Sequence, residues 1–470
     1  MSETTITNSE STSEVQKGTG AVVMLCVITV IAVLLYGAVD TGTLTLLSLL
    51  TFALVAYWAW VSFRARTVSI NLDTIQLPLI ALGVVGLVQL LPLGGATVPP
   101  GVLDIPASAS ISLDPYATRF FLSRLFLYIV FFAAALTFVN SLPRLRLIVV
   151  MLITFAGLIA FYSILQRVED PSSIYGLRQP SQAIPFGTFI NRHHFAALME
   201  MTLGLSLGLM FAGGMKSNRW PFVGAAAVVM AIAIVLTGSR GGIIGLVTSL
   251  IAIAVLAAYG RGDSRDGDGT RVFSPTLTLS AGAAFLLITL AAVLFLGGAE
   301  PLMRGTGITP GAGDFTSGRI DFWRTAVKIF LAHPIIGAGF DAFGVAYSAY
   351  DSSSGMFRVE QAHNDYLQTL ADAGIVGLVC VVTFIYLLFR KGMNIIRETS
   401  SGFRRGAAIG ALAGCAGIMV HSFFDFPLRT PANAYVFLAL AAISVVRLPK
   451  ERAHRRRRPT TLTDASINGH

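Results

Sequence analysis

Charge is scarce in this chain of 470 residues: 13% are Asp, Glu, Lys or Arg, against 54% hydrophobic residues. Soluble domains of ordinary composition carry about a quarter charged residues, so the shortage alone argues against a water-soluble enzyme. Short strands alternating with amphipathic helices, the pattern of a soluble α/β fold, are also missing. Cysteine is nearly absent, and Cys26, Cys380 and Cys415 each lie alone in an apolar run. That excludes a disulfide framework and a CxxC metal pair. Seven histidines invite a metal, yet there is no HExxH, no DxD and no Cys/His cluster, and the adjacent His193 and His194 point in different directions on a helix. No catalytic metal and no cofactor is expected. The lack of a GxGxxG or Walker loop excludes nucleotide-driven chemistry. No internal repeat is visible. Only Lys17 precedes the first apolar run, with no small-residue cleavage site after it, so a retained first helix is expected rather than a cleaved signal peptide.

What the chain has instead is apolar length. A helix needs about 20 apolar residues to cross the hydrocarbon core, and runs of that order recur almost throughout. They predict spans at about 21–39, 43–62, 74–91, 120–139, 145–163, 194–213, 220–237, 242–259, 277–297, 374–390, 405–424 and 433–447. The expected fold is an all-α integral membrane protein of about 12 transmembrane helices, with a large helical periplasmic loop between the ninth and tenth. The corresponding parts are a disordered, Ser/Thr/Glu-rich cytoplasmic tail (1–19), helices one to nine (20–297), a loop domain (298–373), helices ten to twelve (374–447) and a basic tail (448–470). An even number of spans puts both termini on one side, and the run Arg455 to Arg458 marks that side as cytoplasmic. The net charge of +9 would suggest nucleic acid in a soluble protein. Here the bases collect in tails and short loops, which makes them an orientation signal and a contact for anionic membrane lipids. No nucleic-acid partner is expected.

Some bases fall on the opposite, outer face, where topology does not require them. Gly238-Ser239-Arg240-Gly241-Gly242 joins the seventh and eighth spans. Glycines allow close backbone approach and a helix N-terminus attracts an anion, so Arg240 looks like half of a diphosphate site; alternatively it snorkels to headgroup phosphates. The stretch Ser317 to Ala332 reads as an amphipathic helix. Near its start Arg319 adds positive potential, whereas Arg324 can pair with Asp321 three residues back. His363-Asn364-Asp365-Tyr366 is read as opening the next helix, with His363 and Tyr366 on one face and Gly374 at the join to the tenth span. An imidazole there can accept a hydroxyl proton or, charged, hold a phosphate; it can also be an ordinary exposed polar residue. His421 and Asp425 share a face at the end of the eleventh span, followed by Arg429. They either orient a substrate or satisfy each other. Arg192 lies in the shorter outer loop. Glu200, buried one and a half turns into the sixth span, needs a partner from a neighbouring His or an outer arginine.

Taken together, these motifs resemble a known family. SGRIDFWRTAVKIFLAHPIIGAGFDAF followed by HNDYLQTLADAGIVGL is similar to the central segment of the O-antigen ligase/polymerase (Wzy-like) family, GSRGG to its upstream arginine motif, and HSFFDFPLRTPANAY to a segment near the last spans of polymerising members. The resemblance covers approximately 190–440. It implies a multi-pass glycosyltransferase of the bacterial inner membrane, active in polysaccharide or lipopolysaccharide biosynthesis. Such an enzyme takes a glycan from undecaprenyl diphosphate to a glycan or lipid acceptor on the periplasmic face without a metal. On motif position, Arg240, Arg319 and His363 are the expected catalytic residues, and Tyr366, Arg324, Arg192, His421, Asp425 and Arg429 the expected substrate-binding ones. The alternatives are a Wzy-like polymerase, whose acceptor is another lipid-linked repeat, and, in a different class, a lipid or polysaccharide transporter, which would place its polar groups near the bilayer midplane.

Overall fold

The computed structural model describes residues 3–93, 109–181, 183–212, 219–260, 275–297, 303, 319–351 and 359–449. The basic run Arg455 to Arg458 and much of the expected outer loop, including 304–318 and 352–358, lie outside them.

The described residues form fourteen α-helices: α1 Glu3–Leu34, α2 Thr41–Ala65, α3 Leu77–Gln89, α4 Pro115–Phe138, α5 Leu142–Glu169, α6 Arg192–Phe211, α7 Trp220–Leu236, α8 Arg240–Tyr259, α9 Pro275–Gly297, α10 Arg319–Ala332, α11 Phe343–Ser348, α12 Asp365–Glu398, α13 Gly402–His421 and α14 Pro431–Val445. There is no strand among them, only two isolated bridges. Seven helices are long and apolar enough to cross a membrane, and the apolar parts of five more run 10–17 residues. Each expected span overlaps one of these helices, of which seven meet the length and hydropathy of a membrane span. α1 begins at Glu3, so it includes the stretch read above as a disordered tail; its apolar part is Gly18–Leu34.

Helix starts follow local sequence. Asn191, Ser239, Asn364 and Ser401 each accept a backbone N–H of the first turn with their side chain, capping α6, α8, α12 and α13. α12 contains a break at Gly374, where φ is 61° and ψ −160°. A Cβ there would lie 2.4 Å from the Ile335 carbonyl oxygen, so the join expected at this glycine requires a residue without a side chain.

At the centre stand α6 and α13, buried along most of their length, while α2 lies at the periphery. Their approach is set by glycine: a Cβ on Gly208 would fall 2.2 Å from Gly410 Cα, and one on Gly204 2.7 Å from Gly414 N. Where lipid is as apolar as the side chains, close van der Waals contact between small residues is what holds helices together. This packing brings the first turns of α6, α8, α12 and α14 and the last turn of α13 to one end of the bundle.

Candidate active site

The polar side chains at that end make one connected cluster. His363 stands before α12, with its backbone in the left-handed region (φ 52°). Asn364 is the N-cap and uses its side chain on Tyr366 N and Leu367 N. His363 and Tyr366 therefore do not share a helical face, contrary to the sequence expectation: asparagine's preference for the cap moves the helix start past the histidine. Two backbone-linked contacts tie this corner to the turn after α13: Asp365 N donates to Ser422 O at 2.9 Å, and Asn364 Nδ2 to Phe423 O at 3.1 Å.

Those ties set His363 against Asp425, with Nδ1 3.1 Å from Oδ1. Phe322 stacks on the imidazole at 5.9 Å between centroids, and Phe426 meets it edge-on at 4.8 Å. The side chain of His363 keeps 32% of its surface exposed, whereas Asp425 keeps 2%. The second carboxylate oxygen of Asp425 has no hydrogen bond, but Arg319 Nη2 approaches it at 3.8 Å from the first turn of α10. Burial pushes the Asp425 carboxyl up. The His363 hydrogen bond and the neighbouring His193, His194 and His363 imidazoles outweigh it and hold the group well below the usual carboxylate range.

Arg240 opens α8 on the far side of the cluster. Its neighbour Ser239 touches His193 Nδ1 at 2.9 Å, and Gly241 lies against His421, where a Cβ would fall 2.5 Å from Nε2. Arg240 thus joins the site through the residues on either side of it, while Arg319 and His363 meet directly on Asp425. Arg192 begins α6 next to His193. His421 and Asp425 do not pair with each other. His421 Nδ1 turns into the bundle to Glu200, 3.1 Å and 3.2 Å from its two oxygens. The partner of Glu200 is therefore a histidine 221 residues away, neither a sequence neighbour nor an arginine.

Three of the residues read as substrate ligands are occupied otherwise. Arg324 pairs with Asp321 at 3.2 Å in the open, both side chains at least 70% exposed. Tyr366 donates its hydroxyl to the Met419 carbonyl at 2.7 Å. Arg429 contacts Asp341, donates to Asp372 at 2.6 Å and lies 4.0 Å from Asp365, while Arg124 reaches Asp341 from α4. Sequence reasoning missed Asp341 and Arg124 as members of this end of the bundle. The available signal was the Gly337-Ala338-Gly339 run before Asp341.

Beside this ion network an apolar cavity of about 230 Å³ opens between α3, α4, α12, α13 and α14. Leu82, Tyr128, Phe384 and Phe437 contribute to its walls, and Arg124, Asp341, Asp365 and Arg429 to its polar end. Among the described residues no group of three His, Cys, Asp or Glu side chains is arranged to hold a metal ion.

No curated protein matches the chain. Residues 225–382, which run from α7 into α12 and carry Arg240, Arg319 and His363, match the family model described as O-Antigen ligase, and this match supports an O-antigen ligase/Wzy-like family for the chain.

Proposed function

We propose that this protein is a twelve-span glycosyltransferase that moves a glycan from undecaprenyl diphosphate to an acceptor hydroxyl at the periplasmic face of the bacterial inner membrane. The observation that carries the reading is the contact set Arg319–Asp425–His363, with Arg240 on the adjoining helix start.

The chemistry required and the groups present correspond. When the bond from sugar C1 to the diphosphate breaks, its electron pair leaves with the phosphate oxygen and negative charge gathers there. Arg240, the N-terminus of α8 and Arg319 supply fixed positive charge and directed N–H groups for that charge. On the other side an acceptor O–H must lose its proton as oxygen bonds to C1. Asp425 holds Nδ1 of His363, which keeps the N–H on that nitrogen and leaves the Nε2 lone pair to take the proton. The proton then passes to solvent or to the departing diphosphate. Attack opposite the leaving group inverts the anomeric centre. Phe322 and Phe426 limit water around the imidazole. The apolar cavity suits a prenyl chain, since its lining offers hydrocarbon contact and its polar end includes Asp365, close to His363 in the chain.

Purified protein in lipid nanodiscs, given a labelled lipid-linked repeat with and without lipid A core, tests the proposal. Product is expected with wild type and lost with Arg240→Ala, Arg319→Ala and His363→Ala while insertion is retained. A near-normal product ladder from Arg240→Ala or Arg319→Ala overturns it. One observation favours polymerase chemistry as the second reading: Asp425, the His363 partner, comes from HSFFDFPLRTPANAY, the segment similar to polymerising relatives. Long chains formed without core would support that reading; product on the core alone would support a ligase.

A further inference from the structure

The pair Glu200–His421 has no part in the reaction just described, yet it is the most deeply buried ionisable pair at this end of the bundle, with side-chain exposures of 0% and 1%. The backbone of α8 leaves room for it. A Cβ at Gly245 would fall 2.2 Å from Glu200 Oε2, and one at Gly241 would fall 2.5 Å from His421 Nε2. Two glycines one turn apart thus form a slot that any larger residue would close. An unpaired carboxylate at this depth would be costly, so the bidentate contact of Glu200 with Nδ1 explains how it is tolerated. It does not explain why the pair is present, since a hydrophobic pair of the same volume is often as stable or more stable. The Nε2 atom of His421, moreover, is buried with no hydrogen-bond partner.

The outward connection explains the arrangement. His421 is the last residue of α13, and its carbonyl accepts the backbone N–H of Asp425 at 3.2 Å and of Phe424 at 2.8 Å. The residue that carries the imidazole therefore also sets the turn on which Asp425 sits. Acidic and basic side chains alternate along the series: Glu200, His421, Asp425, then His363 and Arg319. The ionisable groups facing His421 from the surrounding elements are Glu200, His193 and His194 on α6, Arg319 on α10 and Asp425. Of these, Asp425 is the one that the proposed reaction requires to remain a carboxylate.

We infer that Glu200 and His421 form a buried positioning dyad: Glu200 keeps His421 oriented and cationic, and His421 in turn fixes the turn and the charge of Asp425, so that Asp425 can hold His363 and Arg319. This rests on the glycosyltransferase reading above. Neither member touches substrate. The dyad acts through Asp425.

The test uses the full chain in nanodiscs and follows transfer rate against pH with labelled lipid-linked donor. Glu200→Gln keeps the shape and removes the counter-charge that keeps a buried imidazolium stable. Asp425 then loses a neighbouring cation, and the pH below which transfer fails should rise by about one unit, because an opposite charge at close range moves an Asp by about 1–3 units. The maximal rate should fall by roughly tenfold, with the donor KM unchanged. The double variant Glu200→Gln/His421→Gln can keep a neutral hydrogen-bonded pair, so it separates folding from charge. It should restore the amount of inserted protein if Glu200→Gln lowers it, but not the wild-type pH profile. A wild-type profile and rate in the double variant, or in a well-inserted Glu200→Gln protein, overturns the dyad. Failure of wild type itself to transfer glycan would overturn the functional reading instead, and the two outcomes are separated by the Arg240→Ala control.

Discussion

Replacing Asp425 by Asn changes one atom and, on the proposed mechanism, removes the group on which the site converges. The carboxylate is 2% exposed, lies 3.1 Å from His363 Nδ1, and has Arg319 3.8 Å from its other oxygen. The amide of the Asp425→Asn variant would keep the volume but could present either an oxygen or an NH2 group to His363. In the second case the imidazole is held in the tautomer that cannot take a proton from an acceptor. In the best-studied His–Asp pair the same exchange lowers kcat by about 10⁴. Here the imidazole is also held by two phenylalanine rings, so a loss of about 10²–10⁴ in transfer rate is expected, equivalent to ~3–5 kcal/mol at about 1.36 kcal/mol per decade. Stability at neutral pH should fall as well, because the variant lacks the ionised carboxylate that the folded chain favours and leaves His363 and Arg319 without it. The pH dependence has a definite sign. Folding holds the Asp425 carboxyl well below its ordinary value, so its stabilising contribution is present above about pH 4, the unfolded value, and is lost as pH falls through the lower folded value. Single-turnover transfer with labelled donor, together with thermal unfolding of wild type and Asp425→Asn between about pH 2 and 8, measures both quantities. An Asp425→Asn enzyme within about threefold of wild type would refute the orienting role of this residue and with it the assignment of His363 as base.

Three further outcomes are expected. Arg324→Ala should transfer glycan within about threefold of wild type, because its pair with Asp321 is exposed on both sides and such pairs contribute about 0–1 kcal/mol; a loss of a hundredfold in the transfer assay would instead make Arg324 a ligand. Arg429→Ala should lower stability by about 3–5 kcal/mol, since it leaves the fully buried Asp372 without its cation, while Asp341 keeps only Arg124. The loss should appear as reduced thermal stability in nanodiscs, and unchanged stability would return Arg429 to the substrate site. Gly208→Val should separate α6 from α13, because the added carbons would overlap the Gly410 backbone; size-exclusion profiles and detergent thermal shifts should show loss of the folded species, and a normal profile would show that the two helices can part without consequence.

The helices were legible because the bilayer imposes a length and a composition that appear in any window of the chain. Among the described residues the apolar helices overlap the runs that hydropathy marks, and the caps Asn191, Ser239 and Ser401 mark the starts of α6, α8 and α13. Arg240 and Arg319 stood out for a related reason: a charge expected on the outer face has no topological purpose there, so it is conspicuous in the sequence. Partnership was not legible. His421 and Asp425 are four residues apart, and helical periodicity alone places them together. In the folded chain the helix ends at His421, so periodicity stops applying between them, and each turns to a partner on another element: Glu200 on α6 and His363 before α12.

The same limit explains Arg429. As a base beside two prolines in an expected outer loop it had the appearance of a free cation, because the carboxylates that occupy it lie 57 to 88 residues earlier in the chain. Asp372 is less than one turn before the break in α12 and Asp341 follows a glycine-rich corner; neither carries any local mark of pairing. A lipid-facing bundle has few ionisable groups, and nearly all of them must be paired when folded. A loosely paired cation is therefore the informative exception, and it can be recognised only after the carboxylates have been assigned. Among the described residues that assignment commits Arg429 and Arg124 to Asp341 and its neighbours, and leaves Arg319 with one loose contact at 3.8 Å. On the proposed mechanism, a guanidinium held that loosely, beside a histidine with a third of its side chain exposed, exchanges its carboxylate for an arriving phosphate, whereas one held by three aspartates does not.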